Sequence, residues 1–182
     1  MLSLLVTLII IFLSFQVFPV AIGINVAGKL GKAVILVVVL SVVQVSTYWL
    51  GLVFGETFMH LMDDFSGVVF FIGFLLIGIR MLMETFNIRK GERTYSIDSI
   101  GHVAIASLAQ GINTFLAGLL FYYIFFDEQG TIILLFVLTV IVAIAGIVMK
   151  PGKLTLAFAS LLYAIGGLIM LISAVYISFF IL

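Results

Sequence analysis

LSLLVTLIIIFLSFQVFPVAIG, residues 2–23, contains no charged side chain and one amide, Gln16, near its centre. About 20 apolar residues suffice to carry a helix across the hydrocarbon of a bilayer. Within that hydrocarbon an amide has no water to bond, so Gln16 is expected to face inward, toward a partner, a cavity or a substrate. Gln44 and Asn113 lie in the same way near the middle of apolar runs of their own.

Extending the reading along the chain predicts six membrane helices: Leu2 to Val26, Ala33 to Phe54, Ser66 to Phe86, Ile100 to Phe126, Thr131 to Met149, and Leu154 to Leu182. The 182 residues are 65% hydrophobic and 9% charged, whereas a soluble domain carries roughly 25% charged residues. The connections are short, so neighbouring helices are expected to run antiparallel. The expected fold is all-α, a polytopic membrane protein with residues 1–182 as one integral domain. Its amino terminus lacks a basic region and a small-residue cleavage site and reads as a retained helix rather than a signal peptide.

Composition also excludes several functions. Zero net charge gives no field for nucleic acid. The absence of cysteine removes disulfides, thiol redox chemistry and thiolate metal sites. No phosphate-binding loop, Ser-His-Asp arrangement or zinc-like histidine spacing occurs, so no enzyme is expected, and no bound cofactor.

Charge sets the expected orientation. Lys29 and Lys32 fall in the first connection, Arg89, Lys90 and Arg93 in the third, and Lys150 and Lys153 in the fifth. The second and fourth hold Glu56, Asp63, Asp64, Asp127 and Glu128 without any lysine or arginine. The positive-inside rule then places the odd connections in the cytoplasm and both termini outside.

Two related halves of three helices each would insert in opposite senses. Ser14-Phe15-Gln16-Val17-Phe18 matches Gly111-Ile112-Asn113-Thr114-Phe115 in pattern, each with an amide two residues before a phenylalanine and small residues following. Gly73 and Gly78 have a looser echo in Gly166 and Gly167. The expected repeats cover about residues 1–90 and 96–182, and inverted repeats of this kind commonly hold substrate at the midplane where they meet.

The candidate site is therefore Gln16, Gln44 and Asn113, with Gln110 one turn before Asn113 and Thr47 one turn after Gln44. Two readings stand side by side. The amides are interhelical glue, at about 0.6 kcal/mol each, or they form a shared polar site, which three at one depth favour. Pro19 is either a tolerated kink or a device that frees a carbonyl near Phe15 as an additional oxygen ligand. Arg80 and Glu84, one turn apart, read as a local ion pair or as a gate. His102, and the group His60, Asp63 and Asp64, read as solvated ends, Ser96, Asp98 and Ser99 as helix caps, and Trp49, Tyr122 and Tyr123 as an outer aromatic belt.

With these stretches in view, the layout resembles the bacterial manganese efflux pumps (MntP-type), a branch of the LysE-like exporters. In those proteins each half carries an SxDAFA-like stretch, matched here by Ser14 to Gly23 and by Ser107 to Gly118. Residues 74–84, FLLIGIRMLME, look like the family's glycine-arginine-methionine stretch. The resemblance implies an inner-membrane secondary transporter with Mn2+ as substrate, and Gln16, Gln44 and Asn113 as metal-binding positions. It also exposes a departure, because the family's intramembrane carboxylates fall on these three amides. An amide keeps the oxygen and loses the charge, and it cannot titrate. The expected partners are the lipid bilayer and a small cation or polar solute, and the sequence is compatible with a homo-oligomer. Two alternatives stand beside manganese export: an exporter of a small polar or amine solute, and a non-transporting membrane assembly or regulatory protein.

Overall fold

The computed structural model describes residues 2–24, 30–91, 100–124, 126–149 and 151–182. Lys29, Arg93, Ser96, Asp98, Ser99 and Lys150 lie outside these residues. Everything described is helical in architecture. Among the described residues seven α-helices follow one another: α1 (Leu2–Ser14), α2 (Phe18–Ile22), α3 (Leu30–Phe58), α4 (Ser66–Arg89), α5 (Ile100–Leu120), α6 (Glu128–Met149) and α7 (Lys153–Phe180). Helices satisfy every interior main-chain group within one segment, which hydrocarbon demands. By length and composition, five helical stretches can cross a membrane: Leu2–Ile22, Leu30–Arg89, Gly101–Tyr123, Glu128–Met149 and Lys153–Phe180.

The outer surface of the long helices is strongly apolar. Along α7, Leu154, Phe158, Leu161, Ile165, Leu168, Ile172, Val175 and Phe179 recur every three or four residues, and all are exposed. The opposite face buries Ala159, Ser160, Tyr163, Gly166, Gly167, Met170, Ser173 and Ala174. Such a surface suits lipid and would be an aggregation hazard in water.

Three places depart from the helices as the sequence predicts them, and one is the expected run from Ile100 to Phe126, which ends as α-helix at Leu120 and passes through a 3-10 turn, Phe121–Tyr123, to extended backbone at Ile124. The first run is broken by a single 3-10 turn, Phe15–Val17, with Pro19 opening the short α2. The expected loop from Gly55 to Phe65 is instead largely helical, as the end of α3 and a 3-10 segment, Met59–Phe65, kinked at Met62 where the backbone leaves helical geometry. Gly55 does not break α3 because it is an interface residue, packed on the Leu119 carbonyl of α5.

Residue neighbours fix the directions of the helices. Thr47 lies beside Gly111, Gly51 beside Phe115 and Gly55 beside Leu119, so α3 and α5 run parallel. Gly73 lies beside Leu120 and Arg80 reaches Ala109, so α4 runs against α5, and therefore against α3. The stretch Leu30–Arg89 thus folds back on itself at Met59–Phe65. Gly67 lies beside Ser178 and Gly78 beside Gly167, making α4 and α7 antiparallel. The start of α1 lies with the start of α6, around Leu2, Val6, Gly130 and Leu134, and Ala21 meets Gly146, so these two are parallel.

The parallel pairs are held at backbone distance. A Cβ on Gly118 would stand 2.5 Å from the Tyr48 carbonyl oxygen, and one on Gly51 would collide with the Phe115 carbonyl oxygen. In the other pair a Cβ on Gly146 would stand 2.5 Å from Ala21 Cβ and 3.2 Å from the Phe18 carbonyl oxygen. Small residues permit this approach, and in lipid the resulting van der Waals contact is a main source of helix association. At the far end, Tyr123 donates to the Met59 carbonyl oxygen at 3.0 Å and stacks edge-on with Tyr122. Trp49 lies ten residues before Met59, about 15 Å along the helix, so the tyrosines mark that end without it.

Gly51→Ala should therefore lower stability by about 1–3 kcal/mol, since a carbonyl on a packed helix cannot yield as a side chain would. Gly101→Ala, where a Cβ meets nothing within 4 Å, should leave stability unchanged or raise it. Thermal unfolding of both variants in detergent checks the contrast.

Candidate functional site: a buried amide patch

The break at Phe15–Val17 is where the interior becomes polar. The helix re-forms around Pro19 by a short-range bond, Phe18 N–H donating to the Phe15 carbonyl oxygen. The carbonyl that the sequence marks as freed thus has a donor. Two others nearby are taken by side chains: Gln44 Nε2 donates to Leu13 O at 3.0 Å, and the Tyr163 hydroxyl lies 2.9 Å from Gln16 O.

Each amide then has a distinct setting. Gln44, fully buried on α3, donates also to Thr114 Oγ1 of α5 at 2.6 Å. Because its NH2 group faces a main-chain oxygen, its own Oε1 must point elsewhere, and it accepts no hydrogen bond. Gln16, also fully buried, approaches the Met81 sulfur of α4 with Nε2 at 3.9 Å, a weak contact, and its Oε1 has no donor. Asn113, 1% exposed on α5, has no partner at either Oδ1 or Nδ2. An orphaned buried polar group costs about 1–3 kcal/mol. Three amide oxygens in that state, in a chain so short of polar groups, suit a ligand that is itself a donor or a cation.

Gln110 is buried one turn before Asn113, with Oε1 3.0 Å from the Tyr163 hydroxyl. Tyr163 of α7 has one proton and two oxygens beside it, Gln16 O and Gln110 Oε1, so it ties the α1 break to α5. The Thr47 hydroxyl donates to Val43 O of its own helix at 2.6 Å, and its side chain packs on Gly111, next to Gln110. Arg80 and Glu84 form the expected pair, Nε to Oε1 at 3.4 Å, and Arg80 Nη2 also donates to Ala109 O at 3.0 Å. Among the described residues no group of three or more His, Asp or Glu side chains is placed to hold a metal ion.

Tyr163, Thr114 and Met81 escape the sequence reading. For Tyr163 a signal exists, since a lone tyrosine well inside an apolar span needs a partner for its hydroxyl. Tyr48 obeys the same rule, donating to Thr131 Oγ1 at 3.2 Å. Thr114 and Met81 carry no comparable mark.

An apolar outer shell around a small polar interior defines a multi-pass membrane protein. Residues 27–178 match the family model described as "Putative manganese efflux pump" (Mntp), and the chain belongs to that family, one of membrane efflux transporters rather than enzymes. The matched region carries Gln44, Arg80, Glu84, Gln110 and Asn113, while Gln16 precedes it. No curated protein and no solved structure matches the chain.

The bonding pattern separates structural amides from idle ones. Tyr163→Phe removes the link from α7 to α1 and α5 and should lower the midpoint of thermal unfolding, at a cost of about 1 kcal/mol. Asn113→Val removes two unsatisfied atoms and should keep or raise the midpoint. A marked loss of stability in Asn113→Val would show that Asn113 serves packing.

Proposed function

We propose that this chain is a secondary transporter exporting manganese(II) across the bacterial inner membrane. It crosses six times, as two inverted halves of about residues 1–90 and 96–182, with both termini outside. Gln16, Gln44 and Asn113 form the midplane site, with Gln110 and Thr47 as neighbours. The observation that carries this reading is the set of three buried, donorless amide oxygens in a member of the manganese efflux family.

The fold-back at Met59–Phe65 supports six crossings, because it gives α3 and α4 opposite directions. Matching contacts support the halves. Gly51 rests on the carbonyl of Phe115 and Gly146 on that of Phe18, and these phenylalanines stand two residues after Asn113 and Gln16. Exchange of the halves maps the α3–α5 pair onto α6 with α1 and α2, and the α4–α7 pair onto itself.

The chemistry of such a site is particular. Manganese(II) prefers hard oxygen ligands, and amide carbonyls supply dipoles without charge. Removing a divalent ion from water at a neutral site is costly, so binding at the amides is weak, which also eases release. A second reading draws on the same oxygens: an amine-bearing solute would satisfy them with N–H donors and need no anionic site. The third alternative, helix glue, fits the NH2 group of Gln44, which ties α1, α3 and α5 together, but not Asn113, which ties nothing.

Calorimetric titration tests the role of charge. The native protein should bind manganese weakly, and Gln16→Asp, Gln44→Glu, Asn113→Asp combined should bind it distinctly better, provided the variant folds, with affinity falling as the carboxylates protonate. Tight binding by the native protein would contradict the argument from lost charge. In proteoliposomes the native chain should carry manganese and Asn113→Val should not; uptake of a small amine without manganese uptake would select the second reading.

Orientation has its own test. Cysteine introduced at Asp64 or Glu128 should react with an impermeant thiol reagent added outside cells, and cysteine at Lys90 should not. The reverse pattern would invert the topology.

A further inference from the structure

One buried group lies outside the amide patch and has no role in the account above. Glu84 is the one charged side chain buried among the described residues, at 4% exposure near the C-terminal end of α4. Carrying a carboxylate out of water costs several kcal/mol, so a charge kept there calls for a reason. Arg80 faces it one turn earlier, with its own side chain 32% exposed. Arg80 also reaches across to α5, where Nη2 bonds Ala109 O at 3.0 Å, at the residue preceding Gln110.

The position of Glu84 matters as much as its charge. Met81, whose sulfur meets the Gln16 amide at 3.9 Å, lies three residues earlier on the same face of α4. Glu84 is thus about 4.5 Å further along the helix, toward Arg89 and Lys90, which is the cytoplasmic side in the proposed orientation. The amides have oxygens without charge, and Glu84 has charge at the approach to them.

We infer that Glu84 is a cation ligand on the cytoplasmic approach to the amide site, with Arg80 as its resident counter-ion. This rests on the manganese-export reading. An arriving divalent cation takes the place of the guanidinium at the carboxylate, and the long Arg80 side chain swings along α4 toward the cytoplasmic interface. The carboxylate keeps a positive partner at each stage, so the exchange avoids the cost of an unpaired buried charge. Releasing Arg80 also breaks its bond to Ala109 O and loosens α4 from α5 beside Gln110 and Asn113. Site loading and helix release are then the same event.

A purely structural ion pair is the rival, and three measurements separate the two. Unaltered protein in proteoliposomes is treated with a hydrophobic carbodiimide, with and without Mn2+, and modification of Glu84 is followed by mass spectrometry. Manganese should slow that modification several-fold. In transport assays Glu84→Gln should raise the KM for Mn2+ about tenfold or more, as expected for loss of a charge-assisted contact. Arg80→Gln should lower the KM, because the competitor for the carboxylate is gone, whereas a structural pair predicts no gain in affinity. Should either variant fail to fold, the labelling of the unaltered protein decides. Identical labelling with and without Mn2+, in a protein that transports it, overturns the inference. If the unaltered protein carries no manganese, the export reading itself falls, and that outcome is distinct from the first.

Discussion

Leu13 O and Gln16 O sit at a break in a helix with no water to turn to, and the interior is organised around that constraint. A main-chain carbonyl released in hydrocarbon must find a donor from the protein. Gln44 supplies one from α3, and Tyr163 supplies one from α7. Gln44 also donates to Thr114 on α5, and the one proton of Tyr163 is shared between Gln16 O and Gln110 Oε1 of α5. A single 3-10 turn therefore recruits three other helices, and Asn113 is carried into the same region by its place between Gln110 and Thr114 on α5.

Apolar run lengths made the long helices legible from sequence, because length and hydropathy are what a bilayer selects. The ends of the helices were less legible. Gly55 looks like a loop residue in isolation, yet it continues α3 because α5 packs against it, and that is a tertiary fact. The match of Gln16 and Asn113 pointed to the polar interior, since amides are scarce in this chain. Which amide is bonded and which idle could not be read in advance. That depends on whether a neighbouring helix brings a carbonyl or a hydroxyl within about 3 Å, and no periodicity encodes it. The same limit applies to the Thr47 hydroxyl, whose bond to Val43 O of its own helix no spacing announces.

Family membership and local chemistry address different questions here. The match over residues 27–178 places the chain among manganese efflux pumps. The side chains at its centre are neutral, and the buried negative charge lies one turn away at Glu84. On the proposed function, coordination by oxygen and compensation of charge would fall at separate places. The relatives' carboxylates, as the resemblance describes them, would combine both at one place.

The glycine-tight pairs have a mechanical consequence. Gly51 and Gly118 bind α3 to α5, and Gly146 with Ala21 binds α6 to α2. Each pair joins one helix from the first half of the sequence to one from the second, like interlaced fingers. The chain therefore cannot hinge open as two clamshells divided at its midpoint, because that would shear both backbone contacts together. The bodies that can move intact are these cross-joined pairs. Between α4 and α5, by contrast, the approach is made by side chains, Arg80 on Ala109 O and Leu120 on Gly73.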